Sequence, residues 1–473
     1  MAVATAVRSS RIRSTRIRSA RAAAATRADP TGWDVLTVLL AGAAAFLVGT
    51  DFDLVRGLTV GGLIGAGLAP IWVREASRFR GAALGGVLLL VCLFSALALT
   101  TWRAATHPPT EAGVLIELLP VISAATSVGA LLWAQRVLSP GIVVCLYAVG
   151  SLATATTGSR FAEDPWRFGF AMPMTMLLLG GCMLLRRKGR ARVGADLVAL
   201  GALTAVTALS GARSMSAFLI MTAVLLLWQH RPVKAKKAAS ALLSLVLVGA
   251  LGLGLYKTLE GAALDGYLGA SAQQRTEEQT QAAGSLLLGG RPEIGATVAL
   301  MLHEPLGYGA GTMATPTDMQ AAKQGMSVLG YDPDNGYVEH YMFGTRIEVH
   351  SLIGDLWIWF GPAGLVLSGW LLWLASGYLG RSLAHRTGSA LGLFLALQLG
   401  WNLFFGPIIS SLPPLALALG VFLLQHKDAE AVASSEPEPG PPARPRPKRR
   451  MAGARSRGEW ARRRYLAGGP QRA

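Results

Sequence analysis

The chain has 473 residues, of which 52% are hydrophobic and only 15% are charged. A soluble domain of this length would need far more charge to cover its surface, so the composition excludes an ordinary soluble enzyme and indicates a membrane protein. The formal net charge of +17 is concentrated in an N-terminal arm over 1–33 and a C-terminal tail over 426–473. The three cysteines all lie within apolar blocks, which argues against a disulfide framework or a zinc site.

The two basic ends favour contact with a lipid surface. Basic segments that flank a membrane domain usually lie on the cytoplasmic side, where they contact anionic lipid. No stacking aromatic residues accompany the arginines of the arm, which disfavours nucleic-acid binding. Its composition is also typical of an organellar transit peptide, but the abundance of Ala, Gly and Arg in the rest of the chain favours a bacterial protein. The Pro, Arg, Ser and Glu content of the tail predicts disorder.

Between these ends, the apolar residues form blocks of about 17–25 residues, the length that crosses a hydrocarbon core of ~30 Å. We therefore predict an all-α polytopic membrane protein of about twelve transmembrane helices, nine within 34–257 and three within 350–425. The predicted spans are 35–50, 57–73, 81–102, 113–133, 140–157, 168–185, 195–210, 214–229, 240–257, 351–377, 389–405 and 407–424.

The short loops predict the orientation of these spans. With the N-terminus inside, the inner loops hold fifteen basic residues and the outer loops hold five. The positive-inside rule then places both termini in the cytoplasm and the chain in the bacterial inner membrane. The inner residues are Arg74, Arg78, Arg80, Arg136, Arg186, Arg187, Lys188, Arg190, Arg192, Arg231, Lys234, Lys236, Lys237, Arg381 and Arg386; the outer ones are Arg56, Arg103, Arg160, Arg167 and Arg213.

One outer connection, over 258–349 between spans nine and ten, is too long to be a mere connector. Pro292 suits the first turn of a helix that ends near Glu304-Pro305. A glycine-rich run, 307–311, follows and is predicted to be flexible. The residues from Asp332 to Tyr337 predict turns. The connection is therefore predicted to be a large, partly helical extracytoplasmic loop.

The start of span ten carries the most informative motif, His350-Ser351 followed by Gly361 and Gly364. Eleven residues are nearly three helical turns, which predicts that His350 and Gly361 share one helix face. Small residues on that face let a neighbouring helix approach, and Pro362 can kink the span. A helix N-terminus disfavours the imidazolium, so His350 is expected to be neutral and able to accept a proton. The alternative is an interfacial histidine that only caps its helix.

Two arginines are candidate anion-binding residues. Arg213 lies in a minimal outer turn, on the side that the positive-inside rule depletes of basic residues. Arg291 precedes the predicted loop helix. Guanidinium groups suit phosphate oxygens, although Arg213 could instead extend to the lipid interface and Arg291 could be an ordinary exposed charge. Asp332-Pro333-Asp334 is interpreted as a structural turn, so neither a metal nor a cofactor is expected.

Together these patterns resemble the O-antigen ligase and polymerase superfamily over roughly 195–424. The resemblance rests on His-Ser-x9-Gly-x-x-Gly from His350, the Ser-Gly-x-Arg turn that ends at Arg213, the Gly-Arg pair at Arg291, and the run from Glu304 to Gly311. It implies a GT-C-like glycosyltransferase architecture with its active site on the outer face of the membrane.

The activity that this resemblance implies is metal-independent, inverting transfer of a glycan from undecaprenyl pyrophosphate to an acceptor hydroxyl. His350 would be the general base, and Arg213 and Arg291 would bind the pyrophosphate. The candidate supporting residues are Arg160, Glu348 and Asp355.

Two alternatives stay open. A polymerase would use the same residues to join lipid-linked repeat units. A twelve-helix transporter would require buried mid-span charges and internal repeats. The predicted spans contain few such charges apart from Glu117 and Asp355, and no repeat is visible, so a transporter is disfavoured.

Overall fold

The computed structural model describes residues 34–187, 193–229, 237–267, 269–283 and 289–427. The N-terminal arm, nearly all of the C-terminal tail, and the inner basic residues Lys188, Arg190, Arg192, Arg231, Lys234 and Lys236 lie outside these ranges. The described chain is all-α apart from one short antiparallel pair of strands. The predicted fold class is therefore confirmed at this level.

The described residues up to 264 form the two strands and ten α-helices. They are α1 (Val35–Gly49), β1 (Asp53–Val55), β2 (Leu58–Thr59), α2 (Val60–Gly67), α3 (Ala69–Ala76), α4 (Ala82–Arg103), α5 (Glu111–Val137), α6 (Pro140–Ala153), α7 (Ala171–Arg187), α8 (Val193–Leu209), α9 (Arg213–Gln229) and α10 (Lys237–Leu264).

The second part contains α11 (Ala270–Ala283), α12 (Glu293–His303), α13 (Pro316–Ser327), α14 (Leu352–Phe360), α15 (Pro362–His385), α16 (Ala390–Phe405) and α17 (Ile408–Leu417). Short π-helical segments cover Trp166–Phe170, Val338–Met342 and Ala418–Leu423.

Within the described ranges, five helical segments are long and apolar enough to cross a membrane. They are Ala82–Arg103, Glu111–Val137, Trp166–Arg187, Val246–Leu264 and Pro362–His385. Seven others are apolar but shorter. In α4 only Cys92, Ala96 and Thr100 are buried, whereas Leu90 and Phe94 are largely exposed. An apolar face of this size is favourable against lipid and unfavourable against water.

The prediction of a continuous second span over 57–73 was wrong. The segment forms the β1–β2 hairpin followed by two helices of eight residues each, α2 and α3. Leu68 interrupts the helical path, and Pro70 in the first turn of α3 has no N–H to continue an earlier helix. Eight helical residues cover only about 12 Å. Neither helix can span a membrane alone.

The prediction of a continuous span ten was also wrong. α14 begins at Leu352 and ends at Phe360, and α15 starts anew at Pro362. Gly361 separates them with φ +58° and ψ −142°, a conformation that only glycine adopts readily. His350 therefore precedes α14 and does not share a helix face with Gly361.

The long connection contains ordered helices. The helix predicted after Pro292 is present as α12, and α13 follows with a capping box between Thr315 and Asp318. α12 and α13 pack so closely at Gly295 and Gly325 that a methyl group on either would overlap the carbonyl oxygen of the other. The connection therefore contains helices, and its place outside the membrane stays a prediction.

Candidate functional site

The backbone around His350 is held in a costly conformation. His350 has φ +53°, in the left-handed region, which costs a non-glycine residue about 1–2 kcal/mol. Next to it, Ser351 caps α14 by accepting a hydrogen bond from the N–H of Gly354 at 3.0 Å. Such conformations persist only where the surroundings fix them, and they cluster at functional sites.

Asp355 helps to hold the backbone next to His350 in place. Its side chain is fully buried, and its two oxygens accept hydrogen bonds from the backbone N–H of Val349 at 2.8 Å and of Ile408 at 3.0 Å. It therefore ties the residue before His350 to the start of α17. The sequence suggested Asp355 as a supporting residue, and in the structure it positions the backbone next to His350.

The His350 ring lies beside a group of tyrosines. Its centroid is 6.1 Å from that of Tyr337, which stacks on Tyr341 at 5.6 Å. The Tyr337 hydroxyl donates to Oε1 of Glu293 at 2.8 Å. Nδ1 of His350 is buried and has no hydrogen-bond partner among the described residues. A buried nitrogen without a partner among the described residues calls for an explanation, and a role in binding a substrate is one.

Arg291 belongs to the same group. Burial raises the pKa of Tyr337 above its ordinary range, Glu293 adds to this effect, and the positive charge of Arg291 opposes it. Arg291 is therefore close enough to Tyr337 to influence it electrostatically. Tyr337 thus contacts Glu293 and His350 and lies within electrostatic range of Arg291, and we call these four residues the His350 cluster.

Glu348 does not bond to His350. Its Oε2 accepts a hydrogen bond from Nε of Arg346 at 2.8 Å, in a partly buried ion pair. The Arg346 charge also acts on Glu117 and Asp355. Glu117, on α5, accepts a hydrogen bond from the N–H of Gly311 at 2.6 Å. The hydrogen bond between Glu117 and Gly311 holds the long connection against α5.

The glycine-rich run 307–311, predicted to be flexible, is buried and tightly bonded. The N–H groups of Tyr308 and Gly309 both donate to the carbonyl oxygen of Ile358 on α14, at 2.9 and 3.0 Å. The prediction of flexibility was wrong because the glycines serve close backbone packing.

The remaining predicted residues are two exposed arginines. Arg213 lies at the first residue of α9. Arg160 is also exposed, pairs with Glu163 at 2.9 Å and lies over the ring of Phe168 at 4.0 Å. Of the predicted arginines, Arg291 is the one placed in the His350 cluster, by the effect of its charge on Tyr337, and the participation of Arg213 stays a prediction.

Gly361 and Gly364 do permit close packing, but with different partners from those predicted. A methyl group on Gly361 would overlap the carbonyl oxygen of Leu306, and one on Gly364 would overlap that of Leu356 on α14. The partners are thus the segment 304–311, which we call the 304–311 strip, and the short helix α14.

No protein-family model, curated protein or solved structure matches the chain.

The chemistry of the site accordingly rests on its own geometry. The His350 cluster offers one imidazole nitrogen that can accept a proton, one guanidinium that can bind an anion, and a carboxylate already engaged by a tyrosine hydroxyl. Sequence reasoning missed Tyr337 and Glu293. Glu293 directly follows Pro292, and only the folded connection shows that it contacts Tyr337.

A second polar network, centred on Asp318, also holds the long connection in place. Asp318 is fully buried and accepts hydrogen bonds from Nε2 of His107 at 2.9 Å and from the Tyr308 hydroxyl at 3.0 Å. Burial alone would raise the pKa of Asp318, but the hydrogen bonds from Thr315, His107 and Tyr308 outweigh it and hold that pKa below its usual value. The ionised carboxylate therefore stabilises the fold.

We expect Asp318→Asn to lower the free energy of unfolding at pH 7 by roughly 2–4 kcal/mol, since the amide cannot accept the same set of hydrogen bonds. The pKa is lower in the folded state, so the stabilisation is present above the ordinary value of 3.8 and is lost as pH falls through the folded-state value. Thermal unfolding of both proteins at several pH values measures this difference. Asp332→Asn, at an exposed turn, is the control; an equal gap at all pH values would contradict the role of the carboxylate.

Proposed function

We propose that the chain is a membrane glycosyltransferase of the O-antigen ligase kind, which moves a glycan from undecaprenyl pyrophosphate to an acceptor hydroxyl. The observation that carries this proposal is the buried, unpartnered Nδ1 of His350 beside Tyr337 and within the same cluster as Arg291. The arrangement combines a proton acceptor with an anion-binding group.

In the proposed reaction, His350 takes the proton from the acceptor hydroxyl. The acceptor oxygen then attacks the anomeric carbon, the bond from that carbon to the pyrophosphate oxygen breaks, and undecaprenyl pyrophosphate leaves as an anion. Direct attack inverts the anomeric centre. Arg291 would stabilise the leaving charge, and Arg213 would join it when the lipid-linked donor is bound.

The proposal includes a topology. Twelve membrane passages, counting the interrupted second and tenth segments, would leave both termini in the cytoplasm and the long connection outside the inner membrane. The connection would then meet a donor whose lipid tail stays in the bilayer. The basic termini would contact anionic lipid on the inner face.

The hydrogen bonds of two buried acidic residues disfavour a transporter. Glu117 and Asp355, the acidic residues that a transporter could use for ion coupling, accept hydrogen bonds from the backbone N–H groups of Gly311, Val349 and Ile408. Their oxygens are thus engaged in holding the fold. A transported ion would compete with these bonds.

The proposal is tested by incubating the purified full-length protein with a lipid-linked glycan and candidate acceptors. Release of undecaprenyl pyrophosphate that requires an acceptor supports a transferase. A product enlarged by one glycan supports a ligase, whereas a ladder of repeat units supports a polymerase. Movement of intact substrate across a vesicle membrane without bond cleavage would overturn the proposal in favour of a transporter.

We expect Arg291→Lys and Arg213→Lys each to reduce the transfer rate about tenfold or more, because a point charge cannot reproduce bidentate contact with phosphate oxygens. Initial rates with the lipid-linked donor measure the effect. Arg160→Lys is a suitable comparison, since Arg160 is already paired with Glu163. If either test variant transfers at the wild-type rate, that arginine is not part of the proposed site.

A further inference from the structure

The outward face of α12 is apolar. Between the two end residues of this helix, none of the side chains is charged. Val298 is 51% exposed and Leu302 is 78% exposed, and their spacing of four residues places them one turn apart on a single face. The side chains that α12 buries lie on the opposite face: Ala296, Thr297 and Leu300. Apolar side chains as exposed as Val298 and Leu302 are unfavourable in water.

The neighbouring helix α13 has the opposite composition on its outward face. α12 and α13 pack against each other through Gly295 and Gly325. Apart from Pro316 in the first turn, the exposed side chains of α13 are polar: Thr317, Gln320, Gln324 and Ser327. A helix that faces water carries polar residues on its outer face. The outward face of α13 therefore suits water, whereas that of α12 suits an apolar surrounding.

An ion pair holds the end of α12 beside the end of a lipid-exposed helix. Nη2 of Arg103, the last residue of α4, lies 2.5 Å from Oε2 of Glu304, which directly follows α12. Trp102 is largely exposed, and tryptophan is enriched where a helix leaves the hydrocarbon of a membrane. The exposed apolar residues Leu90 and Phe94 precede it on α4. α12 thus ends beside the point where α4 would leave the lipid.

The size of the apolar face distinguishes lipid from a second copy of the chain. A stable protein interface buries about 800 Å² on each partner and takes about 20–30 residues a side. Val298 and Leu302 supply only a small part of such an area. Contact with acyl chains has no minimum area, because each apolar side chain gains free energy in proportion to its own surface removed from water. Location and size together therefore favour lipid.

We propose that α12 is an interfacial helix, with Val298 and Leu302 in contact with acyl chains of the leaflet that the Arg103 end of α4 reaches. α13 then lies on the water side of α12. This contact would hold the long connection against the membrane surface. The inference is independent of the proposed transfer reaction, since it uses no residue of the His350 cluster.

The experiment places a photoreactive side chain at single positions of the full-length protein. p-Benzoylphenylalanine replaces Val298 or Leu302 as the test variants and Gln320 or Gln324 as matched controls, which have the same spacing on α13. The same replacement of Phe94, exposed on α4, is the reference for lipid contact. Each protein is reconstituted in vesicles of phosphatidylethanolamine and phosphatidylglycerol and irradiated. Mass spectrometry then measures the yield of phospholipid adducts, and gel electrophoresis detects cross-linked dimers.

We expect the Phe94 variant and both test variants to form phospholipid adducts, with yields at least about tenfold above those of the Gln320 and Gln324 variants. Size-exclusion chromatography shows that each variant is folded, and a high yield at either folded test position supports the proposal. Test yields equal to those of the α13 controls would show that this face of α12 lies in water and would overturn it. Cross-linked dimers in place of lipid adducts would assign the face to a second copy and overturn it as well.

Discussion

Replacement of His350 by alanine is expected to reduce glycan transfer at least about 10²–10⁴-fold, the usual contribution of a general base. The fold should survive, because Nδ1 of this ring bonds to no described residue and the adjacent backbone is held by Asp355 and Ser351. The rate of acceptor-dependent release of undecaprenyl pyrophosphate measures the effect, and size-exclusion chromatography in detergent measures the integrity of the protein.

A second substitution separates the loss of the imidazole from a change in the backbone. Asparagine tolerates the left-handed conformation of residue 350 better than alanine but cannot act as the same base. His350→Asn should therefore fold well and still lack transfer. His340→Ala, at an exposed histidine of the same connection, is the control. Transfer at the wild-type rate by His350→Asn would disprove the role of His350 as the base.

Gly307→Ala is expected to destabilise the protein strongly, by roughly 2–5 kcal/mol, because two unfavourable effects coincide there. Gly307 has φ +84°, and an added Cβ would lie 2.5 Å from the carbonyl oxygen of Trp357 and 3.0 Å from Cα of Gly361. Neither neighbour is a flexible side chain, so the 304–311 strip would have to separate from α14. Thermal unfolding in detergent measures the loss.

The matched control for this prediction is Gly400→Ala. Gly400 lies within α16, and no heavy atom is found within 4 Å of an added Cβ. The substitution should leave stability unchanged or raise it by up to about 1 kcal/mol through helix propensity. Equal stability of the Gly307→Ala and Gly400→Ala proteins would show that the strip is less tightly packed than described.

The positions of most helices could be predicted because a long apolar block identifies a helix by composition alone. α4, α5 and α9 follow the predicted segments within a few residues. The interruptions at Leu68 and Gly361 could not be predicted in this way. Hydropathy reports whether residues are apolar, not whether the backbone is continuous. The break at Gly361 depends on contact with Leu306, which lies far from it in sequence.

The candidate site stays a prediction. The His350 motif and the Gly-Arg pair at Arg291 drew attention to two residues that both act on Tyr337, one by ring contact and one by its charge. Tyr337 and Glu293 could not be predicted, because their contact requires the long connection to fold back onto itself. The role of Asp355 was also hidden, since it bonds to backbone groups and not to the His350 ring. Participation of Arg213 stays a prediction.

The bonds between the 304–311 strip and α14 determine which side of the site can open. The Ile358 carbonyl accepts two N–H groups from the strip, and the Trp357 indole donates to the Pro305 carbonyl at 3.1 Å. Moving the strip away from α14 would leave these polar groups without hydrogen bonds in an apolar interior. The loss would cost several kcal/mol of free energy in total. Tyr341, which stacks on Tyr337 of the His350 cluster, is 74% exposed, so the proposed transferase would admit its glycan on the Tyr341 side of the cluster.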